Sequence, residues 1–306
     1  MTVCAVVVTY NRAALLADAL GALRAGTRRV DHLVVVDNAS ADGTADVLAR
    51  FPEAEVVRLP ENAGASGGFA AGIARAAGGG WDWVWMMDDD VLPRPDALEA
   101  LLATGLLEGP GAAALTPLKV GVDGRVQAAH AGTFSLARMR TRGTDAAPGD
   151  APVRVGYATF VGLLVRGSVA RLELPRADFF FWYDDVEYTL RLARHGSLHL
   201  VPASVIVHRD GEASGDYRRV RGRRVTRAGT WRVYYGLRNR MLTLRAHGTR
   251  LQRAAGFGWA AFYLARSVAT TFVHYGGDRL RLRLLLRAYA DGLRGRAGKR
   301  VDPARP

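Results

Sequence analysis

Three consecutive aspartates, Asp88-Asp89-Asp90, directly follow the apolar run Trp83-Val84-Trp85-Met86-Met87. Adjacent carboxylates repel one another unless a cation neutralises them, and hard oxygen ligands suit Mg2+ or Mn2+. A solvated acidic turn ahead of Pro93 is the plainer alternative. A second acidic group, Trp182-Tyr183-Asp184-Asp185-Val186-Glu187-Tyr188, sets three carboxylates among aromatic rings. Apolar surroundings and mutual repulsion favour the protonated form of at least one of them, which suits a general base. Capping of a helix start is the competing use. At helical spacing Asp184 and Glu187 share a face and Asp185 points elsewhere. His208 closes the apolar stretch 198–207, which Pro202 interrupts, and offers an imidazole to an ion held by the aspartates.

These residues need a scaffold, and the first hundred positions supply one. Residues 3–8, 32–36, 55–59 and 81–87 read as strands, the first a continuous β-branched run suited to burial on both faces of a parallel sheet. Residues 12–23, 44–51 and 68–77 read as the helices between them. Alternation of this kind predicts right-handed βαβ units and a doubly wound α/β domain, whose ligands collect at the carboxyl ends of the strands. Those ends carry Thr9-Tyr10-Asn11-Arg12, Asp37-Asn38, Asn62-Ala63-Gly64 and the aspartate triplet.

Asp37 is placed either to accept a hydrogen bond from a base or ribose, or to form an Asx turn with Ala39-Ser40. Asn62-Ala63-Gly64-Ala65-Ser66-Gly67-Gly68 is placed to bring backbone close to a phosphate at a helix start, with a simple tight turn as the alternative. It lacks both the P-loop ending and the Gly-x-Gly-x-x-Gly fingerprint, so neither an ATPase nor a dehydrogenase is supported.

The chain has 306 residues, 49% of them apolar, and a single cysteine, Cys4. That excludes a disordered polymer, a disulfide framework and a cysteine-rich zinc site. Met1-Thr2-Val3-Cys4 runs straight into a strand, which reads as no secretory leader. Charge is uneven: residues 1–208 carry 19 basic and 23 acidic groups, a net −4, and residues 209–306 carry 23 basic and 6 acidic, a net +17. The basic end is expected to meet something anionic. Residues 141–152 read as a mobile loop.

The order of these pieces resembles inverting glycosyltransferases of family 2. The resemblance rests on Val-Val-Thr-Tyr-Asn-Arg at 7–12, Val-Val-Asp-Asn-Ala-Ser at 35–40, Glu-Asn-Ala-Gly-Ala-Ser-Gly-Gly at 61–68, the triplet at 88–90, Asp-Asp-Val-Glu-Tyr at 184–188 and His208. Within the family, the 182–188 motif and Tyr235-Gly-Leu-Arg-Asn239-Arg look like actinobacterial galactofuranosyl- and rhamnosyltransferases of cell-wall assembly, although Tyr183 intervenes between Trp182 and the paired aspartates.

The resemblance implies a GT-A fold, an α/β Rossmann-like, mostly parallel sheet with flanking helices. It places a catalytic domain over 1–228, with a nucleotide-sugar half to about 110 and an acceptor half beyond, followed by a basic helical region over 229–306. It implies Mn2+ or Mg2+ on Asp88 and Asp90 with His208 assisting, and Asp185 as general base. Donor contacts would come from Thr9, Tyr10, Asn11, Arg12, Asp37, Asn38, Asn62, Gly64, Gly67 and Asp89, and the acceptor side from Trp182, Tyr183, Asp184 and Glu187.

The implied donor is a UDP-sugar, or a dTDP-sugar, carrying galactofuranose or rhamnose. The implied acceptor is a glycan hydroxyl, polyprenyl-linked in the cell-wall enzymes. A soluble acceptor and a nucleotidyltransferase are the rival readings, and no nucleic-acid motif supports nucleic acid as a partner.

Residues 254–275 are apolar apart from Arg266, Ser267, Thr270, Thr271 and His274. They read as an interfacial helix lying in the membrane plane, with core packing as the alternative, since a mid-span arginine costs about 2.5–3.5 kcal/mol at a bilayer centre. On a helix over 278–296, Leu282, Leu285, Leu286, Tyr289 and Leu293 fall on one face beside a stripe of Arg279, Arg283, Arg287 and Arg294. The expected location is cytoplasmic, peripheral at the inner face of the cell membrane, on an anionic surface.

Overall fold

The computed structural model describes residues 1–107, 111–209, 217–220, 223–226 and 230–303. The boundary expected near residue 228 lies outside the described residues. The chain divides into two compact units. One comprises Met1–Thr133, Arg142–Ala177 and Asp185–Asp210, the other Phe134–Thr141, Asp178–Asp184 and Gly211–Pro306.

The first unit is built on a nine-stranded sheet. Strands β1 (Val3–Thr9), β2 (His32–Asp37), β3 (Ala54–Arg58) and β4 (Trp83–Asp88) run parallel in the spatial order β3-β2-β1-β4. Strand Leu163–Arg166 continues the sheet antiparallel to β4, and then come β6 (Ala112–Val120), the long strand Ser197–His208 and short β5 (Val91–Pro93). The mostly parallel, helix-flanked α/β sheet is the expected fold class. Pro202 lies within the register shift between Val201 and Val205, a bulge that tolerates its missing N–H.

All seven residues of β1 are buried, and the period of two sends them to opposite faces. Cys4, Val6 and Val8 pack with Phe69 and Ile73 of helix α3 (Gly64–Ala77). Val3, Ala5 and Val7 pack with Leu16 and Leu20 of helix α1 (Ala13–Arg24). Each such side chain contributes about 1.5–3 kcal/mol by leaving water.

Helix α3 lies close enough to the sheet that only glycine fits at two positions one turn apart. A Cβ on Gly68 would stand 2.5 Å from Val8 Cγ1, and one on Gly72 would overlap Val6 and approach Val36 Cγ2 to 2.9 Å. Overpacking a close helix–sheet contact costs roughly 1–3 kcal/mol. Gly72→Val is therefore expected to lower Tm by several degrees in a thermal melt, and an unchanged Tm would show that α3 can move away freely.

The second unit packs three helices, Thr230–His247, Arg250–Tyr275 and Arg279–Arg294, around Tyr234, Tyr235, Met241, Leu284 and Leu285. The buried face of the last helix differs from the sequence expectation. Leu284, Leu285, Ala288, Asp291 and Gly292 are buried, whereas Leu286 and Leu293 are exposed. Small residues decide this. A Cβ on Gly292 would stand 2.6 Å from Met241 Sδ, so the Ala288/Gly292 seam gives the closest approach. Asp291 turns inward because Tyr234 donates its hydroxyl to it at 2.7 Å and Arg300 reaches it at 3.1 Å. The expected loop over 141–152 also differs: its first residues belong to strand Arg140–Gly143, and Ala146 is buried.

Candidate active site

The carboxyl ends of the parallel strands converge as the alternation demands. Asp37 ends β2 and is buried; its Oδ1 accepts the Ser40 N–H, three residues on, at 2.8 Å, and its Oδ2 lies 3.6 Å from Arg58 Nε. Asn38 ties β2 to the start of α3. Its amide donates to the Gly64 carbonyl at 3.0 Å and accepts the Ala63 N–H at 2.8 Å, while Asn62 Oδ1 accepts the Gly64 N–H at 2.8 Å. These brackets start the helix at Gly64, four residues earlier than the pattern suggested. Gly64 (φ 76°) therefore opens the helix and Gly67 lies in its first turns. Asn11 (φ 52°) accepts the Ala41 N–H at 2.7 Å and donates its own N–H to Ser40 at 3.0 Å, and Tyr10 stands exposed beside it.

The triplet splits into three environments. Asp88 ends β4 opposite Val8, half-buried. Asp89 is buried and accepts from Thr9 Oγ1 at 2.7 Å and Arg12 Nη1 at 3.1 Å. Burial is the larger influence and pushes its carboxyl up to about 6, against the pull of Arg12 and Thr9. Asp90 Oδ2 accepts from Arg12 Nη1 at 2.8 Å. Burial opposes ionisation of Asp90, but His208 and Arg12 outweigh it and hold its carboxyl below the ordinary range. Burial likewise works against the Arg12 charge, and the neighbouring aspartates outweigh it.

Asp90 Oδ1 is buried without a hydrogen-bond partner and lies 3.6 Å from His208 Nε2. The tautomer of His208 follows from Gln127. The His208 carbonyl can only accept, so the Gln127 nitrogen, 3.3 Å away, must face it. The amide oxygen then faces His208 Nδ1 at 2.8 Å, and that nitrogen must carry the proton. In its charged form the ring faces Asp90 as an ion pair at 3.6 Å; in its neutral form Nε2 is left with a lone pair aimed at the bare carboxylate oxygen. Two acceptors facing each other across a buried gap make a place for a cation.

Among the described residues no three His, Cys, Asp or Glu side chains gather into a ready cage. The Asp90–His208 pair still fits Mn2+ or Mg2+, which often take one or two protein ligands and complete their shell with substrate phosphates and water. Groups that hydrogen-bond the far nitrogen of a ligating histidine are typically worth about 10–100-fold in metal affinity. Gln127→Leu is thus expected to weaken Mn2+ binding in calorimetry by about that factor and to move the His208 proton to Nε2 in 15N NMR spectra of the metal-free protein. Gln127→Glu, which still accepts from Nδ1, should restore both. A leucine variant with the tautomer unchanged would remove this assignment.

Sequence reasoning missed Gln127 and two neighbours because they sit in an aperiodic stretch. The His130 ring meets that of His208 edge-on at 4.8 Å, and its Nδ1 lies 3.0 Å from Thr159 Oγ1. Burial first, then the positive charge of its neighbours, pushes its pKa down to about 3. Lys119 is buried against Thr116, and burial pushes its ammonium down to about 7. An unfolded lysine titrates near 10.4. Between these values the unfolded chain holds the extra proton, so the contribution of Lys119 to stability improves as pH rises from about 7 towards 10. Lys119→Met is expected to raise Tm by several degrees at pH 6, a gain that shrinks towards pH 10; a lower Tm at pH 6 would contradict this.

Helix Asp184–Leu192 carries the second acidic group. Asp184 and Glu187 are buried and Asp185 is half-exposed, the division expected from helical spacing. Glu187 is held by Arg191 at 2.9–3.1 Å and works as scaffold. Asp185 Oδ1 accepts the Val186 N–H at 2.6 Å. Just before the helix, Phe180, Trp182 and Tyr183 have φ of 66°, 63° and 65°, a conformation costing bulky residues about 1–3 kcal/mol each. The turn is held from behind. The Asn239 amide nitrogen lies 2.7–3.0 Å from the Phe179, Phe181 and Trp182 carbonyls, and Arg238 donates to the Phe179 carbonyl at 2.9 Å. The Arg-Asn pair of the 235–240 motif thus shapes this aromatic turn.

Comparison with known proteins identifies the family. The model of glycosyl transferase family 2 matches residues 4–161. The galactofuranosyltransferase GlfT1 of Mycobacterium tuberculosis is 35% identical over 213 residues, 64% of this chain and 66% of that protein. An N-acetylglucosaminyl-diphospho-decaprenol L-rhamnosyltransferase of the same organism is 29% identical over 239 residues, 69% of this chain and 76% of that one. The mannosyltransferase of Pyrobaculum calidifontis, solved with GDP-Man and Mn2+, shares the fold, with a TM-score of 0.57 at 19% identity over 95% of this chain and 86% of that one. The match spans 66% of the length of the galactofuranosyltransferase. Since the family model covers more than half of the sequence, including β1 to β6 and the aspartate triplet, the chain belongs to glycosyl transferase family 2.

Proposed function

We propose that the protein transfers a sugar, galactofuranose or rhamnose, from a UDP- or dTDP-sugar to a hydroxyl of a lipid-linked glycan, with inversion at the anomeric carbon and with Mn2+ or Mg2+ as cofactor. The observation that carries this reading is the buried Asp90 Oδ1, without a hydrogen-bond partner and 3.6 Å from His208 Nε2. Asp90 and His208 would hold the ion, with Asp88 close by at the end of β4. A divalent ion there supplies charge neutralisation for the departing diphosphate.

The remaining steps belong to side chains. Arg12 is a guanidinium at the mouth of the strand ends, suited to phosphate oxygens. Asp37, Asn38 and Asn62 shape the floor on which the nucleoside would rest. Asp185 takes the proton of the acceptor hydroxyl as that oxygen attacks C1, while the bond from C1 to the diphosphate breaks on the opposite face. No covalent enzyme intermediate is needed, and positioning with electrostatics provides the acceleration.

A lipid-linked acceptor calls for a membrane surface. On helix Arg250–Tyr275, Leu251, Phe262 and Val273 are exposed at eleven-residue spacing, which returns to one face after about three turns. Arg279, Arg283, Arg287 and Arg294 are exposed on the next helix, and each is worth up to about 1 kcal/mol near anionic lipid. No described helix is long and apolar enough to cross a membrane.

A thermal-shift panel of UDP-, dTDP- and GDP-sugars, with and without Mn2+, tests the reading. The matching donor is expected to raise Tm by mass action, and by clearly more when Mn2+ is present. Donor binding equal with and without the ion would remove the metal from the account.

A further inference from the structure

The second unit contains a cavity of about 350 Å³ lined by Met139, Arg140, Arg240, Trp259, Phe262, Tyr263 and Arg266. Its lining holds three guanidiniums and no carboxylate. Among the described residues the side chains of Arg140, Arg240 and Arg266 form no hydrogen bond or ion pair, and Arg240 Nε is buried without a partner. An unsatisfied buried donor on a cation costs more than a neutral one, and native structures retain few. Arg240 is nevertheless held in place. Its guanidinium lies 4.6 Å from the centre of the Tyr183 ring and 5.5 Å from that of Tyr263.

The other walls are of a different character. The Trp259 and Tyr263 rings stack at 5.2 Å with 15° between their planes. Phe262 is 65% exposed, and the helix that bears it continues with exposed Phe272 and Val273. A cationic pocket opening onto an apolar face matches a ligand that is anionic at one end and apolar at the other. Arginine forks suit phosphoryl oxygens, and flat aromatic walls suit an unsaturated hydrocarbon.

We propose that this cavity is a binding site for the phosphoryl head of an anionic amphiphile, with Arg240 and Arg266 on the phosphate and Trp259, Phe262 and Tyr263 along the apolar body. The inference deepens the reading of a lipid-linked acceptor and rests on it for the natural occupant, while binding of the probe needs only residues of the second unit.

Calorimetric titration of the full chain with farnesyl diphosphate, without divalent ion, tests it. Binding is expected in the micromolar range, with inorganic pyrophosphate and farnesol each at least tenfold weaker. Arg266→Gln, an exposed substitution, and Arg240→Met are each expected to weaken binding by tenfold or more at unchanged far-UV circular dichroism. Arg253→Gln, exposed on the same helix as Arg266 and outside the cavity lining, should leave it unchanged. Equal affinity for pyrophosphate would overturn the amphiphile in favour of a free anion. Binding unmoved by Arg266→Gln, or weakened equally by Arg253→Gln, would overturn the cavity as the site, and no binding would overturn the proposal. Sugar-donor binding in the presence of Mn2+ serves as a separate readout, so loss of one activity does not imply loss of the other.

Discussion

Asp185→Asn is expected to lower kcat by about 10²–10⁴-fold, the range ascribed to a positioned general base, while donor affinity stays within about twofold. The substitution is nearly isosteric. An asparagine oxygen can still accept the Val186 N–H that Asp185 accepts at 2.6 Å, so the start of helix Asp184–Leu192 should survive. What disappears is the capacity to take a proton from the acceptor hydroxyl. Asp184 and Glu187 are poor substitutes because both are buried, and Glu187 is committed to Arg191. Steady-state kinetics with a donor-binding assay separates the two effects. Full activity in the variant would move the base elsewhere, and joint loss of binding and turnover would point to a structural role.

Asp90→Asn is expected to be as severe by a different route. Mn2+ affinity should fall by more than tenfold, and turnover on the order of 100-fold or more, as when a group stabilising developing charge is removed. The variant keeps the side-chain volume, and Arg12 retains Asp89 at 3.1 Å. Donor affinity measured without metal should therefore change little, while the gain in donor affinity on adding Mn2+ should vanish. Unaltered metal binding in this variant would show that the ion, if one binds, sits elsewhere. Comparison with Asp88→Asn would reveal whether the first aspartate also serves as a ligand.

Much of the scaffold was legible from local pattern. The continuous β-branched run of β1 and the polar residues after it require a strand buried on both faces with its carboxyl end at a ligand site. The helical spacing of Asp184, Asp185 and Glu187 likewise foretold which carboxylates are buried.

Other features depend on partners distant in sequence. The glycines from 64 to 72 invite a loop reading, yet Asn38, 26 residues before Gly64, pins them into a helix. Gln127 determines the His208 tautomer across 81 residues, which no spacing rule detects. The buried face of Arg279–Arg294 follows a seam of small residues, where hydrophobic periodicity points to the leucines. In each case tertiary contact overrides local preference, and polar brackets leave no periodic trace.

Nucleotide release provides the most direct measurement of the central claim. The protein is incubated with a UDP- or dTDP-sugar and a prenyl-diphosphate-linked glycan, and the products are separated by mass. Free nucleoside diphosphate and a one-sugar-longer acceptor are expected in equal amounts with Mn2+ present, and neither after EDTA. Pyrophosphate in place of nucleoside diphosphate, or sugar transfer undiminished by EDTA, would contradict it.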